Sequence, residues 1–240
     1  MIGENRSLVY LIPAPLHENV LNTTLPYVVD AVKSCHTFFV ENERSSRCYL
    51  KSIYRELIID DRKWVAIGKA EENIRHEFVG CLEKNEIIGI VSEAGCPGIA
   101  DPGQLLVDLA HRKNAIVKPL VGPSSILLAL MASGLHGQHF QFNGYLPIEQ
   151  QERARAIRQL EDESSRKGCT QVFIETPYRN NQMMETLIRT LRPSSRISVA
   201  VDLTSEKEYI KTLTVAEWKK QKIDLHKRPT IFSMLAVNGK

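Results

Sequence analysis

The sequence predicts an α/β protein of two lobes, and three observations lead there. Short β-branched or apolar runs alternate with longer amphipathic stretches along all 240 residues, the pattern of strands joined by crossover helices. Loops rich in glycine and proline come directly after apolar runs, where the carboxyl end of a strand in an open sheet meets a ligand. The charge also changes sign along the chain, with 14 basic and 16 acidic side chains up to residue 118 and 17 basic and 12 acidic after it. A boundary near residues 119–122 then gives lobes 1–119 and 120–240, each expected to hold a mixed sheet.

In the first lobe strands are expected at 8–13, 37–40, 64–67, 87–91 and 115–119, with helices near 20–33, 45–57, 71–84 and 104–112 between them. The second opens on a helix at 125–133, followed by a strand at 140–143, a helix at 150–164 and a strand at 171–174. A helix at 181–191 and strands at 197–201, 209–213 and 230–237 complete it. Apolar content of 43% and charged content of 25% exclude a disordered or fibrous chain. The longest apolar run, 126–132, is seven residues, where a bilayer-spanning helix needs ~20. The apolar stretch 7–16 reads as a strand and not a signal segment, because Glu4 precedes it and Pro13 and Pro15 interrupt it. A cytoplasmic protein is expected.

Five scattered cysteines (Cys35, Cys48, Cys81, Cys96, Cys169) and seven histidines show no zinc spacing, so no structural disulfide and no metal are expected. Net charge is only +3, and the excess of cations in the second half permits a polyanionic partner without requiring one. Arg153, Arg155 and Arg158 on one expected helix, and Lys219, Lys220, Lys222, Lys227 and Arg228 before the last strand, are the candidates for phosphate neutralisation; solvated faces explain each equally well.

Three loops could carry chemistry. After the fourth strand comes Val91-Ser-Glu-Ala-Gly-Cys-Pro-Gly-Ile-Ala-Asp-Pro-Gly103, whose glycines permit unusual dihedrals and whose prolines fix others. It is a shaped loop, either a tight turn or a backbone shelf for a ligand, and it matches neither a dinucleotide fingerprint nor a P-loop. Leu120-Val-Gly-Pro-Ser-Ser125 opens an apolar helix; its serines serve as a cap or meet the polar edge of a ligand. Phe173-Ile-Glu-Thr-Pro-Tyr-Arg179 runs a strand into a carboxylate and a guanidinium, so Glu175 and Arg179 either pair with each other or act on a ligand. Glu41 and Arg44 repeat that arrangement after the second strand, which makes Glu175, Arg44 and Glu41 the candidate catalytic residues.

These motifs, together with Ala132-Ser-Gly-Leu135 and Phe142-Asn-Gly-Tyr-Leu-Pro147, resemble in order and spacing the tetrapyrrole methylase superfamily over almost the whole chain. The most similar branch methylates a ribose 2′-hydroxyl of 16S ribosomal RNA. The resemblance implies two α/β lobes with S-adenosylmethionine in a cleft between them, a homodimer, and a ribosomal RNA or ribosomal-subunit partner. Carried over residue by residue, it implies donor contacts at Leu16, Ala94, Gly95, Cys96, Ile99, Ser124, Ser125, Glu175 and Thr230.

The chain departs from that branch in three places. Ile12-Pro-Ala-Pro-Leu-His-Glu-Asn19 stands where the branch has Gly-Thr-Pro-Ile-Gly-Asn-Leu. Ile67-Gly-Lys-Ala-Glu71 replaces a His- and Asn-containing motif, and Pro229-Thr230 replaces Gly-Glu. The departures leave fold and donor site and remove polar residues that could orient a ribose hydroxyl. Three readings follow: an RNA methyltransferase, a methyltransferase of a tetrapyrrole or other small molecule, and a catalytically silent donor-binding module. The first is favoured by the branch and the basic second half.

Overall fold

The computed structural model describes residues 6–17, 20–68, 71–101 and 103–237. Glu18, Asn19, Lys69 and Ala70 of the divergent segments therefore lie outside the described residues. The chain divides into two compact units, Met1–Ser124 and Ser125–Lys240.

The first unit holds strands β1 (Leu8–Ile12), β2 (Thr37–Val40), β3 (Lys63–Ala66), β4 (Ile87–Val91) and β5 (Ile116–Pro119). Helices α1 (Pro26–Ser34), α2 (Glu43–Ile53), α3 (Glu71–Glu83) and α4 (Gln104–Arg112) connect them. The sheet runs β3-β2-β4-β1-β5 and every ladder in it is parallel. The mixed sheet expected here is thus corrected. Each strand is followed by a helix, and a helical crossover returns the chain to the same end of the sheet.

Helix α1 begins later than the periodicity suggested. Pro26 at its first turn has no N–H to donate and fits only there, so residues 21–23 form a separate 3-10 turn. Helix α2 starts earlier, because the Asn42 side chain caps it by accepting the Ser45 N–H at 3.2 Å. One face of the sheet packs Val9, Phe39, Ile88 and Ile90 against Ile74 and Phe78 of α3 and Leu106 and Ala110 of α4. The other packs Ile12, Phe38, Val40 and Val91 against Val28 and Val32 of α1 and Leu50 of α2. Burial on both faces explains why β2 and β4 read as continuous apolar runs.

The second unit has α5 (Ser125–Ser133), β6 (Phe140–Tyr145), α6 (Gln150–Lys167), β7 (Thr170–Ile174), α7 (Asn180–Thr190), β8 (Arg196–Val201), β9 (Tyr209–Thr214), α8 (Val215–Trp218) and β10 (Thr230–Leu235). Its sheet, β6-β7-β10-β8-β9, is mixed: β6 and β7 are parallel, and the remaining ladders are antiparallel. Phe173, Val199, Phe232 and Met234 face Ile157 of α6, Met183 and Leu187 of α7 and Trp218 of α8. On the opposite face, Thr212 donates to the Ser133 carbonyl at 2.7 Å at the end of α5. The short α8 was not expected, although Thr214 and Glu217 form a reciprocal capping box at its start.

Among the described residues no helix is long and apolar enough to cross a membrane, and no group of three His, Cys, Asp or Glu could hold a metal ion.

Candidate active site

In the first unit the chain leaves β1 for α1 on one face of the sheet and leaves the adjacent β4 for α4 on the other. The neighbouring carboxyl ends of β1 and β4 are therefore a switch point, where an open α/β sheet leaves a crevice. Two backbone hydrogen bonds join the loops there: Ala14 N–H to the Gly95 carbonyl at 2.9 Å and Gly95 N–H to the Ala14 carbonyl at 3.0 Å. The Ser92 hydroxyl donates to the same Gly95 carbonyl at 2.9 Å.

Gly95 has φ +80°, a conformation that side chains disfavour. A Cβ on it would stand 3.4 Å from the Pro123 carbonyl oxygen and 3.5 Å from Leu16 Cδ2. The loops after β1, β4 and β5 thus converge on this residue. The Cys96 Sγ lies 3.4 Å from the Pro123 carbonyl. Of the expected donor contacts, Ala94 and Ile99 are exposed, Leu16, Cys96 and Ser124 half-buried, and Gly95 buried.

Asp101 shapes the rest of the loop, a role the sequence reading missed. Its Oδ1 accepts the N–H of Gly98 at 2.7 Å and of Gly103 at 2.8 Å, closing a turn in which Ala100 sits at φ +62°. An Asp followed closely by Pro and Gly was the signal available. Burial pushes its carboxyl above the ordinary value of 3.8, outweighing those two N–H bonds. The sign follows: a carboxyl raised on folding contributes stability when protonated, and that contribution is lost as pH rises through the folded value. Asp101→Asn keeps an acceptor for both amides and removes the charge. Its thermal midpoint at pH 7 is expected to equal or exceed wild type, with the gap closing as pH falls below about 4. A lower midpoint at pH 7 would show that the loop requires the charge.

Glu41 carries its ladder edge to the same loop, its Oε1 accepting the Glu93 N–H at 2.9 Å. Burial raises its carboxyl pKa, with Asp101 and Glu93 adding to the shift. Arg44 stands exposed on the first turn of α2 and forms no ion pair with Glu41 among the described residues, so the Glu and Arg arrangement is not repeated here. Burial also raises the Cys96 thiol pKa, which keeps it protonated and unsuited to attack. Cys96→Ala is therefore expected to retain methyl transfer within a few-fold, measured as label incorporated; complete loss with intact donor binding would make the thiol a participant.

In the second unit β7 runs directly into Glu175. Its Oε1 accepts the Thr176 N–H at 2.6 Å and both Nε and Nη2 of Arg179, at 3.0 and 2.6 Å. The ion pair anticipated from the sequence is formed, with the carboxylate side chain fully buried. The other oxygen, Oε2, is buried without a partner. Ile174 pairs with Ile231 across the ladder, which sets Glu175 beside Thr230 at the start of β10. The Thr230 hydroxyl donates to the Arg228 carbonyl at 2.9 Å. Ser125 opens α5, directly after Ser124.

The cation candidates divide. Arg153 is fully buried and ties α6 to α7: Nε and Nη2 donate to the Thr186 hydroxyl, each at 3.3 Å, and Nη1 to the Ile148 carbonyl at 3.0 Å. It cannot meet a phosphate, and the expectation is corrected; a long stem on the inward face of α6 packs as an aliphatic residue would. Arg228 is held by Asp202 at 2.7 Å. Arg155, Arg158, Lys219, Lys220, Lys222 and Lys227 are exposed.

The family model for Tetrapyrrole (Corrin/Porphyrin) Methylases matches residues 26–219. The chain belongs to the tetrapyrrole methylase family. It is an S-adenosylmethionine-dependent methyltransferase. Among curated relatives, Ribosomal RNA small subunit methyltransferase I of Buchnera aphidicola subsp. Schizaphis graminum is 27% identical over 228 residues, 93% of this chain and 76% of that one. The enzyme of the same name from Vibrio cholerae is 28% identical over 88% of this chain and 69% of its own. That from Bacillus subtilis is 27% identical over 88% and 68%. Solved structures share the fold. Diphthine synthase has a TM-score of 0.68 at 17% identity, covering 96% of this chain and 90% of that one. The methyltransferase CobJ has 0.63 at 14%, covering 96% and 94%.

The residues present fit the methyl donor of this family. Glu175 Oε2 is a buried acceptor without a partner, the kind of atom that a ligand hydroxyl or amine satisfies. The laced loops around Gly95 offer pre-shaped backbone, which costs little further ordering when a ligand arrives.

Proposed function

We propose that this methyltransferase transfers a methyl group to a ribose 2′-hydroxyl of small-subunit ribosomal RNA. What carries the reading is the likeness, over about nine-tenths of the chain, to enzymes named for methylating that RNA. The exposed Arg155, Arg158, Lys219, Lys220 and Lys222 support it, since they can neutralise phosphates.

S-adenosylmethionine supplies an electrophilic methyl group. Leu16, Ala94, Gly95, Cys96, Ile99, Ser124, Ser125, Glu175 and Thr230 are proposed to hold it, on the strength of the family resemblance. Transfer forms an oxygen–carbon bond, breaks a carbon–sulfur bond and releases the hydroxyl proton. The chain must therefore align three atoms, exclude water and receive that proton. Alignment falls to the rigid loop around Gly95. Glu175 Oε2 is the proposed acceptor of a ligand hydrogen bond or of the proton, with Glu41 as a lesser candidate for that role; Arg44, which can only donate, is a lesser candidate for orienting the substrate. A carboxylate beside a sulfonium favours the ground state over the transition state, so Glu175 acts in binding or proton transfer and not as an electrostatic catalyst.

The test uses tritiated S-adenosylmethionine, purified small subunits and their protein-free RNA, followed by nucleoside digestion. Label in a 2′-O-methylated nucleoside is expected. Label that enters only a small-molecule extract overturns the acceptor, and none in either overturns catalysis. Glu175→Gln is expected to lower kcat/KM by roughly ten- to hundred-fold, the worth of a hydrogen bond to a charged group; full activity would remove Glu175 from the site. A cytoplasmic homodimer is also proposed, supported by Leu127 and Met131, one turn apart on α5 and 50% and 79% exposed. Light scattering that gives the mass of one chain would overturn the dimer.

A further inference from the structure

Tyr178 keeps 69% of its surface in solvent, more than any other Phe, Tyr or Trp among the described residues. It lies in the 3-10 turn Pro177–Arg179, between Glu175 and the Arg179 that pairs with it. Its ring is braced on two sides. His226 meets it at 78° with centroids 6.0 Å apart, and Lys227 Nζ lies 5.7 Å from the ring centre.

The segment that carries His226 and Lys227 is pinned to this turn. The Lys227 N–H donates to the Pro177 carbonyl at 3.0 Å, and Asn180 Nδ2 donates to the Arg228 carbonyl at 2.6 Å. Lys227 holds φ +59°, a left-handed conformation for a residue with a side chain. Such a conformation persists only where the surroundings over-determine it, and here it accompanies an ammonium placed over the ring.

An exposed, braced aromatic ring with a cation over one face is chemistry that receives a nucleotide, the base stacking on the other face and the phosphate meeting the ammonium. We infer that Tyr178 and Lys227 form a stacking platform for one unpaired nucleotide of the substrate RNA, set next to the Glu175 carboxylate. The inference rests on the RNA reading above and assigns a place on the chain to part of that substrate. It also accounts for a proline and a tyrosine in the motif that donor binding leaves unused.

The full-length protein is tested by filter binding to protein-free small-subunit RNA over a salt series, with donor affinity measured in parallel by calorimetry. Tyr178→Ala is expected to weaken RNA binding roughly five- to hundred-fold with donor affinity unchanged, and Tyr178→Phe to bind as wild type. Lys227→Asn tolerates the left-handed backbone and removes the charge; the log–log salt slope is expected to fall by about 0.7, the value for one phosphate of a single strand. Unchanged RNA affinity and an unchanged slope in these variants overturn the platform while leaving the RNA reading intact. An equal loss of donor affinity overturns it by moving the ring onto the donor, and a changed molecular mass does so by moving it into a subunit interface. Wild-type protein that neither binds nor methylates the RNA overturns both. If Tyr178→Ala fails to fold, Lys227→Asn decides by its slope.

Discussion

Gly122→Ala is expected to cost at least about 2–3 kcal/mol of stability and to abolish measurable donor binding, read by urea unfolding and calorimetry. A Cβ at this position would fall 2.1 Å from Pro13 Cβ and 2.3 Å from its Cγ, distances that no side chain tolerates. Pro13 cannot retreat easily. Its carbonyl accepts the Tyr49 hydroxyl at 2.8 Å, and the next residue, Ala14, is bridged to Gly95. One methyl group therefore displaces all three loops of the first unit's switch point. Gly80→Ala in α3 is the control, because its Cβ meets nothing within 4 Å. It is expected to stabilise by about 0.5–1 kcal/mol, the helix-interior cost of glycine. A Gly122→Ala protein with wild-type stability would mean that the loops after β1 and β5 are not in contact.

Arg179→Ala is the second large effect, expected near 3 kcal/mol by urea unfolding. It leaves a carboxylate with a fully buried side chain supported only by the Thr176 N–H. Stripping a buried charge of its partner typically costs about 3–5 kcal/mol, and the 29% exposure of Arg179 places this pair at the lower end. Adding Glu175→Gln to Arg179→Ala should return most of the loss, since the uncompensated charge is then gone. A single variant that loses less than about 1 kcal/mol would show that water or another cation already serves the carboxylate.

Local periodicity carried most of the fold. Helices α4 and α5 start and stop where the apolar spacing and the flanking glycine and serines place them. Helix α1 did not, because its pattern extends past a proline that must open the helix. The parallel first sheet was available in principle from its unbroken strand–helix alternation, yet the sequence cannot show which strand lies beside which.

The same limit governs the site. The Glu175–Arg179 pair is local and was anticipated, whereas Gly122 reads as a loop glycine until Pro13 is seen against it. Arg153 failed in the opposite sense. Its helix has Glu149, Glu152 and Arg155 around it, all typical of a wet surface, and only tertiary packing reveals that this one guanidinium faces Thr186.

The position of β1 in its sheet has a consequence for how the chain is made. Leu8 pairs with Ile87 on one side and with Ile116 on the other, so β1 leaves the ribosome before either neighbour and stays unpaired until far more chain has followed. By contrast, β8 and β9 in the second unit are adjacent in both sequence and space and can zip as soon as they exist. Closing the long loops around β1 carries most of its entropic cost before any ladder rewards it. Both apolar edges of β1 wait for β4 and β5 during synthesis. In that interval the nascent first unit is exposed to mispairing, and the Gly95 loop, which is laced to Ala14, cannot take shape until β1 has docked.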